Sequence, residues 1–137
     1  MLEHQIEIVD GDLGEILEVL SLYHDAHYYL DLNKLERAFH VEAQIVGHYH
    51  DEAFIAKRSE YKAILSSETS SASRNEPTYT RLLSLDRTET TALAKIESLM
   101  AGETFTSMLS IWKTKNGWQI INGLFHLETL TTGSGKD

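Results

Sequence analysis

The sequence has no cysteine and a single proline in 137 residues. Without cysteine there is no disulfide framework, no thiolate nucleophile and no cysteine-ligated zinc. Basic residues are also few: 12 Lys and Arg stand against 21 Asp and Glu, a net charge of −9. A nucleic-acid binder needs a basic stripe to displace counterions from phosphates, so that class is set aside. No apolar run approaches the roughly 18 residues of a membrane span. The start, Met1 to Glu7, is acidic and lacks the apolar core of a signal peptide. The expectation is a cytoplasmic protein that partners neither nucleic acid nor membrane.

What is present is ordinary globular material, 42% hydrophobic and 24% charged. The length suits one domain. The patterning places it over residues 1–130, with a polar tail at 131–137. Residues 12–30 predict a helix. Asp12 and Glu15 have capping-box spacing, and Ile16, Leu20, Tyr23, His27 and Leu30 recur every three or four residues. Asp31 caps a short second helix with Leu32, Leu35 and Phe39 on its buried stripe. Gln44–Tyr49 and Ala53–Ala56 then read as short strands, and Ser59–Leu65 as a third helix. Five of the eight residues from Ser66 to Ser73 are serine, and the only proline, Pro77, closes a predicted loop.

The last third is strand. Four β-rich segments, Thr78–Leu85, Ala92–Met100, Glu103–Lys113 and Trp118–Leu127, are separated in part by Ala101-Gly102 and Asn116-Gly117 turn signals. Tight connections make consecutive strands antiparallel. The segments are apolar on both faces. The last carries Trp118, Ile120 and Leu124 on one side and Ile121, Phe125 and Leu127 on the other. The one before carries Phe105, Leu109 and Ile111 against Met108 and Trp112. Three helices can cover one face. The second face calls for a partner subunit, most simply a homodimer through the outer sheet face.

The order helix, helix, two strands, helix, four strands resembles the nuclear transport factor two-like superfamily. The resemblance is carried by Tyr23, by the run Asp31 to Ala43, by Arg58-Ser59-Glu60-Tyr61, and by Leu109 to Lys113 with Asn116 to Ile121. Phe39-His40 and the ending Leu124-Phe125-His126 are most similar to the branch called Putative lumazine-binding. The resemblance implies an α+β cone, with three helices on a strongly curved, mainly antiparallel sheet of about six strands around a pocket. One departure is Leu30, where the family often has glycine.

The resemblance also implies which residues face the pocket. The inward set it gives is Ile45 and Gly47; Ala94, Ile96 and Ser98; Met108, Ser110 and Trp112; and Asn122, Leu124 and His126. Tyr23 and His27 join from the first helix and Tyr61 from the third. Apolar walls with a few polar tips suit a small aromatic or aliphatic ligand. The expected ligand-binding residues are therefore Tyr23, His27, Tyr61, Met108, Ser110, Trp112, Asn122, Leu124 and His126.

Ketosteroid isomerases of this superfamily pair a helix-one tyrosine with two carboxylic acids. Tyr23 matches the tyrosine, but the acid positions fall at Gly47 and Ser110, which cannot transfer a proton near neutrality. Glu97 has outward parity, so relatives relying on inward carboxylates are not matched either. Histidine offers a substitute, and Tyr23, His27 and His126 are the candidate catalytic residues. His40, between helix and strand, reads as a structural histidine. A metal site from His24, His27, His48 and His50 is disfavoured, because the two pairs point to different faces. Gly133 to Asp137 lacks the full phosphate-loop pattern, and no nucleophile elbow is present. No cofactor is expected. Three functions remain open: a small-molecule-binding domain, a lyase or isomerase using Tyr23 with His27 or His126, and a dimerisation or protein-association module.

Overall fold

In the computed structural model, residues 10–127 are described; the acidic start and the polar tail lie outside them. Helix α1 (Gly11–Tyr28) is followed by α2 (Leu32–Ala38), β1 (Phe39–Tyr49), β2 (Glu52–Lys57) and α3 (Arg58–Ser66). A short 3-10 turn (Ala72–Arg74) precedes β3 (Tyr79–Thr88), β4 (Thr91–Met100), β5 (Glu103–Thr114) and β6 (Gly117–Leu127). The six strands form one sheet in the order β2-β1-β6-β5-β4-β3. Among the described residues only β1 and β6 pair in parallel. This is the expected α+β architecture, with β1 starting five residues earlier than its pattern suggests.

Local chemistry explains the element boundaries. Asp10, not Asp12, caps α1, its carboxylate accepting from the Asp12 and Leu13 amides. Asp12 instead ties α1 to the β5–β6 hairpin: its Oδ1 accepts from the Trp118 indole at 3.0 Å and lies 2.9 Å from Lys113 Nζ. The indole bond and then Lys113 hold the Asp12 carboxyl below the usual carboxylate range. Asp31 caps α2 as expected, accepting from the Lys34 amide. Leu30 before it adopts φ 52°, the left-handed conformation that glycine would take without strain. Arg58 donates to the Glu36 and Phe39 carbonyls, locking the start of α3 against the α2–β1 junction. That lock places Tyr61 over the sheet. Ala101 and Gly102 both have positive φ, as a tight primed hairpin turn requires.

Ile16, Leu35, Phe39, Ile96, Leu109, Ile111 and Ile120 are fully buried between the helices and the inner sheet face. A change of register decides what lines this face. On β5, Ser110 pairs with Asn122, but Ile111 pairs with Ile120, so Ile121 is an unpaired bulge residue on β6. Trp118 and Ile120 face inward before the bulge; Gly123, Phe125 and Leu127 do so after it. Among the described residues no element covers the outer face. Ile55, Val46, Leu124 and Met108 follow one another across β2, β1, β6 and β5. Ile55 is 68% exposed, Leu124 44% and Met108 42%. Leu93 and Trp112 extend the patch. Among the described residues no helix is long and apolar enough to cross a membrane.

Candidate functional site

The inner sheet face, α1, α3 and the segment after α3 enclose a cavity of about 280 Å³. Its walls are mostly apolar, from Phe39, Ile45, Phe54, Leu109 and Phe125 among others. Tyr23, His27 and Ser107 lie deep; Tyr49, Ile64, Glu68, Arg74 and Ala101 form an exposed rim. The serine-rich segment predicted as a loop thus contributes the mouth.

Two polar arrangements sit inside. His27 Nδ1 is 2.8 Å from the Tyr23 carbonyl oxygen, and Nε2 is 2.7 Å from the Tyr61 hydroxyl. A carbonyl only accepts, so Nδ1 carries the proton. Burial holds the imidazole below its ordinary range, against the opposing pull of that carbonyl bond. In the neutral ring Nε2 is then a lone pair, and Tyr61 must donate to it. Burial also pushes the Tyr61 phenol well above its ordinary value, so the proton stays on the oxygen. The second arrangement is looser. The Tyr23 hydroxyl lies 3.4 Å from Ser107 Oγ, longer than the usual hydroxyl bond of about 2.8 Å. Ser107 is only 2% exposed.

Of the expected site residues, Tyr23, His27 and Tyr61 line the cavity. Met108, Ser110, Trp112, Asn122, Leu124 and His126 do not. Their positions on β5 and β6 are on the outer face, and Phe125, assigned outward, faces in. Two causes combine. On β6 the Ile121 bulge inverts parity halfway along. On β5 the parity carried over from the superfamily is the wrong one, because the face buried under the helices is Phe105, Ser107, Leu109 and Ile111. That set is visibly the more aliphatic of the two, which is the signal that finds it. His126 pairs in register with His48 on the outer face and cannot act with Tyr23.

The absence of inward carboxylates holds on the corrected face. The inward residues of β4, β5 and β6 include no Asp or Glu apart from Glu103 at the rim, where His50 and Tyr49 bind it. Gly47 does lie on the inward side of β1, where a Cβ would collide with the Phe125 carbonyl and come within 2.7 Å of its ring. Phe125 thus occupies the space an acid at this position would need. His40 Nδ1 accepts from the Glu42 amide at 3.0 Å, a structural bond. His24 is bonded to Thr80 rather than to a shared centre with His27. Among the described residues no three histidines or carboxylates gather in a metal-binding group.

A tyrosine-bearing first helix, a short helix feeding β1, and four hairpin-linked strands curved around an inner cavity define the nuclear transport factor two-like, cystatin-like fold. Solved structures agree. An NTF2-like protein of unknown function from Silicibacter pomeroyi superposes with a TM-score of 0.78 at 20% identity, covering 89% of this chain and 100% of that one. One from Shewanella baltica gives 0.77 at 20%, covering 91% and 100%. A third, from Methylobacillus flagellatus, gives 0.72 at 24%, covering 90% and 98%. The family model described as "Putative lumazine-binding" matches residues 12–126, and the chain belongs to that family. No curated protein matches the sequence.

Proposed function

We propose that the protein binds a small, largely apolar molecule in the inner cavity and does so as a homodimer. The observation that carries the ligand reading is the Tyr23–Ser107 contact. A nearly fully buried hydroxyl facing an apolar cavity, held among the described residues only by a 3.4 Å contact, has capacity left for a guest. The volume of about 280 Å³ is near the lower end of the range for ligand pockets. The family description, "Putative lumazine-binding", supports a small-molecule ligand. The homodimer reading is supported by the apolar row Ile55–Val46–Leu124–Met108, which no element covers among the described residues and which is larger than scattered surface residues require.

The test is native mass spectrometry of the protein as purified and after addition of lumazine or the hydrocarbon tetralin. A dimer with one small adduct per chain is the expected result. A Ser107→Leu variant, which fills the cavity, should lose the adduct. A monomer that takes up none of these molecules contradicts the proposal.

A lyase or isomerase is the second reading. It rests on His27 alone, now that His126 lies outside, and its base is reached only through Tyr61. Turnover abolished by His27→Gln with the fold intact would favour it.

A further inference from the structure

We infer that the buried end of the ligand is an uncharged group offering a hydrogen-bond acceptor beside an N–H or O–H donor, as a lactam or amide does. This rests on the binding reading above and adds the chemistry of the headgroup.

The direction of each proton leads there. Tyr61 has given its only proton to His27 Nε2, so toward the cavity its oxygen can only accept. Tyr23 and Ser107 have two hydroxyl protons between them, and their mutual contact uses at most one. Neither hydroxyl has another side-chain or backbone partner among the described residues. At least one proton is left to donate. The deep end therefore presents one donor site and one acceptor site, and a guest satisfying both must carry the complementary pair.

Charge points the same way. Glu68, Arg74 and Glu103 all lie toward the mouth. Arg74 is held by Glu76 and the Thr69 carbonyl, and Glu103 by His50. The deep lining of Tyr23, His27, Tyr61 and Ser107 has no Asp, Glu, Lys or Arg to balance an ionised headgroup. Burying an unpaired charge there costs far more than two hydrogen bonds return.

Four matched bicyclic probes test this by calorimetric titration: tetralin, the isosteric ketone tetralone, the dihydroisoquinolinone lactam, and the anion naphthoate. The lactam should bind about tenfold more tightly than the ketone. Tyr61→Phe combined with His27→Leu, which removes the acceptor oxygen together with the imidazole lone pair that would replace it, should bring the lactam down to the level of the ketone, with tetralin titrated into the same variant to measure any change in the cavity itself. Tyr23→Phe combined with Ser107→Ala, which removes both hydroxyl protons and leaves the Tyr23 carbonyl bond to His27 in place, should weaken lactam and ketone alike. Equal affinity of lactam and ketone, or naphthoate binding tightest, overturns the headgroup inference while leaving the cavity reading in place. No binding of any probe, tetralin included, overturns the cavity reading itself.

Discussion

Tyr61 donates to His27 Nε2 across 2.7 Å, joining α3 to α1 over the cavity floor. The bond spans 34 residues of sequence and is the polar link between the two helices that shape the cavity. Removing the hydroxyl with Tyr61→Phe leaves a buried imidazole lone pair without a donor. The expected cost is roughly 1–3 kcal/mol, read from urea denaturation midpoints at unchanged slope. A loss below a few tenths would mean that water replaces the bond at no cost.

Stability should depend on pH through the same residue. Burial lowers the native pKa of His27 below the ordinary 6.5. Above that value both native and unfolded states are neutral at this position, and the contribution is complete. As pH falls from 6.5 toward the lowered native value, the unfolded chain takes up a proton that the native state refuses, so stability drops. The slope from one such group approaches about 1.4 kcal/mol per pH unit. His27→Gln should flatten the difference between midpoints at pH 7.5 and 5.5. An unchanged slope in the variant would assign the effect to other histidines.

Gly47 is needed for close approach rather than for an unusual backbone angle. A Cβ there meets the Phe125 carbonyl and ring. Gly47→Ala should destabilise by roughly 1–3 kcal/mol, the range for overpacking, and displace Phe125 from the cavity wall. Thermal unfolding and the Phe125 ring resonances measure both. A variant as stable as the parent would show that β1 and β6 can separate without penalty.

Leu124 and Phe125 are sequence neighbours on opposite faces of β6, so the same substitution should do different things. Leu124→Glu places a charge in the exposed apolar row and should convert a dimer to a folded monomer in light scattering. Phe125→Glu places it in the cavity wall and should abolish ligand uptake with the dimer retained. Reversal of the two outcomes would invert the assigned faces.

The fold was legible because its signals are local and redundant. Asp31 caps a helix, Ala101-Gly102 turns a hairpin, and Tyr23, His27 and Tyr61 fall on helices whose buried side follows from their own spacing. The strand half of the cavity was not. Parity has a period of two, so one extra residue, Ile121, transfers every later side chain of β6 to the other face. Nothing in Gln119-Ile120-Ile121-Asn122 announces a bulge, because no glycine or proline marks it. On β5 the information was present, in the aliphatic bias of Phe105, Leu109 and Ile111, but superfamily parity outweighed it. The cap of α1 slipped by two residues because Asp10 and Asp12 are both good caps, and only the tertiary bond from Trp118 takes Asp12 out of contention.

The central claim is that a small molecule enters a cavity lined by one face of β1, β4, β5 and β6. Methyl-resolved NMR during a titration with tetralin tests it residue by residue. Leu109 and Ile45 methyl signals should shift, while those of Met108 and Leu124, adjacent in sequence or register but on the outer face, stay in place. Shifts confined to Met108 and Leu124, or no shifts at all, would contradict the claim.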